Sequence, residues 1–388
     1  MKDLALQAFL VNDLQLINMQ ILDDLRLLES RDRSGMLRLV ESFPDLLAEG
    51  LECRWEIQPK GPIEKPSNVI IIGYGGSAIS GDILRNWLSR RTTIPIEICR
   101  DLELPTYAGE GTLAICVSYS GETEESLKLL EAAIKAGCQV AVATSGGIMS
   151  EICNKLNLPT VRVRGGLPPR AALPLILSAL VLMLLTFDIV GDVRGEIVQA
   201  IRELKAQVIK LGPSVSSVSN PSKKLALELI DSMPIIYSLE RMSSVARRLK
   251  DQFNENSKVP AKFDLLPEAC HNEIQGWSST WLSSHRGDRF PVILIRDSKE
   301  TSDETSRLEL LKEQVRLAGI ESINEIKTEA TTDLGRILLS INLGDFTSVY
   351  LALAKGLDPT PIPAIEQLKR NLESRSGEKE RIRRALIG

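Results

Sequence analysis

The sequence predicts an α/β protein made of two doubly wound parallel sheets, with a helical arm before them and a charged helix after them. Three observations carry that expectation. From Val69 onward, short continuous apolar runs alternate with stretches of helical period. The alternation breaks in the Ser- and Pro-rich stretch Gly212–Pro221 and then restarts. Residues 1–50 show helical periodicity alone.

In the arm, Leu4, Phe9, Leu16, Met19, Leu22, Leu25 and Leu28 recur at helical spacing. Gln58–Ser67, with Pro59, Gly61, Pro62 and Pro66, is a breaker-rich linker. Val69–Ile72 is a continuous apolar run ending at Gly73, as expected of a central parallel strand. There follow a helix over Ser77–Leu88, strands over Ile94–Ile98 and Leu113–Val117, a helix over Glu122–Ala136, a strand over Val140–Ala143, a helix over Ile148–Lys155 and a strand over Thr160–Val163. A polar helix, Arg194–Leu211, leads into the break. Beyond it come helix Lys223–Asp231, strand Ile235–Ser238, helix Ser243–Glu255, strand Val292–Ile295, helix Glu304–Ala318, strand Ile323–Ile326 and helix Asp333–Leu343, with a charged helical tail from Ala364. The order of elements repeats although the residues do not. The expected organisation is an arm over 1–57, a first domain over 58–211 and a second over 212–388 that includes the tail.

Length and composition agree. A chain of 388 residues is too long for one ordinary core. It is 43% hydrophobic and 25% charged, as a soluble globular protein is. A net charge of −4 and only 4% aromatic residues speak against a nucleic-acid partner, which calls for basic surface and stacking platforms. The six cysteines are scattered without a C-x-x-C pair and mostly sit in apolar runs, which fits buried free thiols and a cytoplasmic setting. Met1-Lys2-Asp3 opens an acidic amphipathic stretch rather than a secretory signal. The apolar segment Ala171–Val190 is long enough to invite a membrane reading, but Pro174, Ser178 and Asp188 and its lack of basic flanks make it a helix buried between domains.

Two constellations carry chemistry. Gly73-Tyr74-Gly75-Gly76-Ser77 joins a strand to a helix, where Gly75, Gly76 and Ser77 let the backbone approach a ligand at a positive helix N-terminus. The third glycine of a dinucleotide fingerprint is missing, so a tight structural turn remains the alternative. The second is Ser118-Tyr119-Ser120-Gly121-Glu122-Thr123, directly after an apolar strand. Ser118, Ser120 and Thr123 place three hydroxyls at the start of a helix, which suits a phosphate; a P-loop would need a lysine that is absent. A helix cap would explain Ser120 but not all three hydroxyls.

These two segments together resemble the sugar isomerase domain, a doubly wound phosphosugar-binding module, and two in tandem resemble the phosphoglucose isomerase architecture. Gly166-Leu167-Pro168-Pro169-Arg170 looks like the family's loop arginine. Cys270-His271-Asn272-Glu273-Ile274 resembles its H-N-E segment, and Gly344–Ser348, Asp358-Pro359-Thr360-Pro361 and Leu368-Lys369 resemble its C-terminal signature. The combination spans Val69 to Lys369 and is similar to the archaeal-type bifunctional phosphoglucose/phosphomannose isomerases.

The resemblance implies a metal-free and cofactor-free aldose–ketose isomerase of hexose 6-phosphates with sites shared between subunits. The shortage of histidines and the apolar segment Ala171–Val190, which needs burial somewhere, predict a homodimer, and no membrane partner is expected. Glu273 would carry a proton between C2 and C1 through a cis-enediolate, burial raising its basicity. Arg170, on a loop stiffened by two prolines, would stabilise the enediolate. An arginine at the start of a helix opposes the helix dipole, which disfavours reading it as a cap. Lys369 and a histidine would open the ring. Only two histidines exist, His271 in the H-N-E segment and His285 twelve residues after Glu273, and His285 is the favoured one, reaching a neighbouring subunit's site. So small a supply of imidazole also disfavours a zinc site.

Two other readings compete. A phosphosugar-binding regulator would need the hydroxyl cluster but not Glu273, Arg170 and Lys369; the arm, with more acidic than basic residues, makes a poor DNA-binding element. The isomerase half of a glucosamine-6-phosphate synthase would follow an amidotransferase with cysteine at position 2, where this chain has Lys2.

Overall fold

The computed structural model describes residues 19–278 and 289–388. They form two compact units, and the division differs from the one expected. One unit contains Phe43–Ile201 together with Ile362–Gly388; the other contains the described residues before Phe43 together with those of Arg202–Pro361. The expected arm residues Leu4, Phe9 and Leu16 lie outside the described residues. The boundary therefore falls inside helix Arg194–Leu211 rather than in the Ser/Pro-rich stretch after it.

The first unit is built on a six-stranded sheet in the order β1-β6-β5-β4-β2-β3, with β1 Trp55–Ile57, β2 Asn68–Ile72, β3 Ile96–Cys99, β4 Thr112–Ser118, β5 Gln139–Thr144 and β6 Thr160–Arg162. All pairings are parallel except β1 with β6. Strands β2 and β4 are buried along nearly their whole length, which is why they read as unbroken apolar runs. The sequence gives no sign of β1, three residues at an edge with alternating exposure.

The tail belongs to this unit for a physical reason. Helix Glu378–Ile387 buries Ile382 completely in the core that includes Leu127, Leu130 and Ile152. Its Arg381 donates to both carboxylate oxygens of Glu131, at 3.3 and 2.7 Å. Helix Leu173–Thr186, the core of the apolar segment, is not buried between domains as expected but within this one unit, against Phe43–Leu51 and Ile79–Leu88.

The second unit has a parallel four-stranded sheet in the order β10-β9-β7-β8, with β7 Ile235–Leu239, β8 Lys262–Leu266, β9 Val292–Asp297 and β10 Ile323–Thr328. Its central helix, Asp333–Ala354, runs eleven residues past the expected end at Leu343. Gly344 does not stop it; a Cβ there would lie 2.8 Å from Leu249 Cδ1, so the glycine serves close helix packing. Asp345 accepts two hydrogen bonds from buried Arg248, at 3.0 and 2.9 Å. This helix is long and apolar enough to cross a membrane, yet 94% of its apolar window is buried inside the protein.

Candidate active site

In the first sheet, β3 lies on one side of β2 and β4 on the other, so the topological switch point falls between β2 and β4. Open α/β sheets bind ligands in the crevice beyond the carboxyl ends of the strands at such a point. The two sequence constellations are the loops that follow these two strands. Tyr119 N–H donates to Ser77 Oγ at 3.2 Å and so ties one loop to the other. Tyr119 also accepts a hydrogen bond from Leu167 N–H at 3.0 Å through its hydroxyl, which in turn donates to the Arg164 carbonyl at 2.9 Å. The Arg164–Leu167 segment before Arg170 is thereby anchored to the same place.

Arg170 is 2% exposed and lies in a short 3-10 turn, Pro169–Ala171. Gly76 packs directly beneath it: a Cβ on Gly76 would stand 3.0 Å from Pro169 O and 3.1 Å from Arg170 N and Cα. Gly76 thus has a packing role beside any approach to a ligand. Gly75 holds a positive φ of 52° with open space around its missing side chain.

Among the hydroxyls, Ser118 Oγ is buried and donates to Thr123 Oγ1 at 3.1 Å. Thr123 is the N-cap of helix Glu124–Lys135 but makes no side-chain cap hydrogen bond. Ser120 Oγ accepts only a local bond from Glu122 N–H, at 3.2 Å. The capping alternative for this cluster is therefore not the arrangement found. Gly121, at φ 71°, admits no side chain, since a Cβ would lie 1.8 Å from Gly146 O.

Lys369 belongs to the same unit, exposed on helix Pro363–Ser376. Glu273 belongs to the other unit. It follows β8 on a segment that folds back over the sheet, and its side chain is 15% exposed. Tyr237 hydroxyl donates to Oε1 at 2.6 Å and Lys262 Nζ to Oε2 at 2.6 Å. Trp277 Nε1–H donates to the Tyr237 oxygen at 2.7 Å. Burial pushes the Glu273 pKa up, as the sequence reading expected, but Asp264, Lys262 and Tyr237 together outweigh it through hydrogen bonds and the Lys262 charge. The net direction is downward, so Glu273 stands ionised. Asp264, beside it, is pushed the other way, by burial and then by Glu273. His271 is exposed at the end of turn Glu268–His271. His285 lies outside the described residues.

Sequence reasoning missed Tyr237, Lys262 and Asp264. Lys262 and Asp264 sit on β8, whose Lys-Phe-Asp-Leu-Leu pattern is only half buried and has no apolar run. Tyr237 lies in an apolar strand that reads simply as core. A buried tyrosine needs a partner for its hydroxyl, and that requirement was the available signal.

The fold is that of a sugar isomerase class protein. Residues 218–372 match the model of the bacterial phospho-glucose isomerase C-terminal SIS domain. A glucose-6-phosphate isomerase like protein from Thermus thermophilus superposes with a TM-score of 0.59 at 17% identity, over 90% of this chain and 98% of its own. Two relatives are closer in sequence, both named bifunctional phosphoglucose/phosphomannose isomerase. That of Caldicellulosiruptor bescii is 32% identical over 87% of this chain and 98% of its own length; that of Aquifex aeolicus is 33% identical over 79% and 90%. The chain belongs to the bifunctional phosphoglucose/phosphomannose isomerase family.

Proposed function

We propose that this protein interconverts glucose 6-phosphate and mannose 6-phosphate with fructose 6-phosphate by a metal-free cis-enediol route. The observation that carries the chemical part is Glu273: a carboxylate mostly withdrawn from solvent, hydrogen-bonded at both oxygens and held ionised. The relatives' names support the pair of aldose substrates.

The residues divide the work. The hydroxyls of Ser118, Ser120 and Thr123 and the uncapped amides at the start of helix Glu124–Lys135 bind the 6-phosphate, with Gly75, Gly76 and Ser77 shaping the neighbouring loop. Lys369 and His285 open the ring. Glu273 takes the C2 proton and returns it at C1. Arg170 offsets the negative charge that develops on the enediolate oxygens. A hydrogen-bonded carboxylate is a weaker base than a desolvated one, but it is fully charged before substrate arrives.

The same reading makes the enzyme a cytoplasmic homodimer in which His285 serves the neighbouring site; buried free Cys99, Cys116 and Cys153 suit a reducing compartment. The apolar helix Leu173–Thr186 lends no support to a dimer, because its own unit already buries it. Mixing Glu273→Gln with His285→Ala tests the sharing. Random exchange should restore up to about a quarter of wild-type activity in hybrid dimers, and no gain over the parents would refute it. The function itself is tested by assaying both aldose phosphates against fructose 6-phosphate with a chelator present. Turnover of both supports the proposal; loss of activity on chelation overturns the metal-free route.

A further inference from the structure

The two oxygens of Glu273 are held in unlike ways. Oε2 meets Lys262 Nζ, the tip of a flexible side chain that is 52% exposed. Oε1 meets the hydroxyl of Tyr237, which is 0% exposed and sits on β7, hydrogen-bonded to strands on both sides. The direction of that bond is fixed. Trp277 Nε1–H only donates, so the phenol oxygen accepts from it, and an ionised carboxylate only accepts, so the phenol proton points to Glu273. Trp277 is itself buried, so the chain from indole to phenol to carboxylate is anchored in the core.

We infer that Tyr237 is a positioning residue for the base: it pins Oε1 of Glu273 from the core and leaves Oε2, whose lysine partner is half exposed, to carry the proton between C2 and C1. The inference rests on Glu273 being the base. Moving a proton between adjacent carbons calls for one oxygen that reaches both, and a carboxylate pinned at its other oxygen provides this without rotating. The charged and titratable groups around Glu273 are Tyr237 from β7, Lys262 and Asp264 from β8, and Glu268 and His271 from its own segment. Helix Ser302–Leu317 brings Arg307 near enough to act on Cys270.

The test is Tyr237→Phe, with Glu273→Gln and the double variant in parallel. A phenol donating to the ionised carboxylate favours the charged form, so its loss raises the pKa of the base. The acid limb of kcat/KM should move up by about half a pH unit or more. The kcat should fall about ten- to a hundredfold, with KM within about threefold. The double variant should lose no more than Glu273→Gln alone. Should Tyr237→Phe not fold, Trp277→Phe keeps the phenol and removes its donor, and should move the same limb the same way by less. A folded variant whose acid limb stays put, or a double variant that loses the same factor again, overturns the inference. A Glu273→Gln variant that stays active would instead sink the assignment of the base itself.

Discussion

Gly76 and Arg170 are in backbone contact: a methyl group on Gly76 would stand 3.1 Å from both N and Cα of Arg170. A Cβ at that distance fits only if the Pro169–Ala171 turn gives by a few tenths of an ångström. Gly76→Ala should therefore fold, with little change in Tm, yet lose about three- to tenfold in kcat because the guanidinium is displaced. Thermal melting and steady-state kinetics on one preparation check this. Unchanged kcat would separate the turn from catalysis.

The hydroxyl cluster should act on binding. Replacing Ser118, Ser120 and Thr123 by alanine removes phosphate contacts worth about 1.5–3 kcal/mol each when made to a charged group. None of the three makes the side-chain cap of helix Glu124–Lys135, so the fold should lose little. Competition by inorganic phosphate reads the effect. Inhibition equal to wild type would leave these hydroxyls with a structural role only.

Glu131 and Arg381 give an acid-sensitive clasp for the tail. Hydrogen bonding from Arg381 is the largest influence on Glu131 and, with Lys135, brings its pKa from 4.5 down to about 2. A depressed folded pKa means stability that is present above the unfolded value and is lost as pH falls through about 4.5 toward 2. Arg381 is 46% exposed, so the clasp contributes only about 1 kcal/mol at neutral pH after solvent screening. Glu131→Gln should melt a few degrees lower than wild type at pH 7, and the gap should close as pH falls toward 2. A gap that stays constant with pH contradicts this account.

The parallel strands and their following loops were legible in the sequence because full burial leaves a continuous apolar signature, as in Val69–Ile72 and Leu113–Val117. The hydroxyl cluster was legible because its members are neighbours in the chain. The surroundings of Glu273 were not: Tyr237, Lys262 and Trp277 come from separate elements and meet only because the segment after β8 folds back over β7 and β8. The tail's place was hidden for a similar reason. Its one fully buried side chain, Ile382, gives no hint in sequence of the core it joins.

The claim that Glu273 moves the proton is tested most directly by kcat of Glu273→Gln in the conversion of fructose 6-phosphate to glucose 6-phosphate. The amide keeps the shape and can still accept from Tyr237, but it takes up no proton at useful pH. Turnover should fall by about 10³ or more, with phosphate competition unchanged. A folded variant that keeps more than about a tenth of wild-type turnover, far above what loss of a general base leaves, would contradict the account.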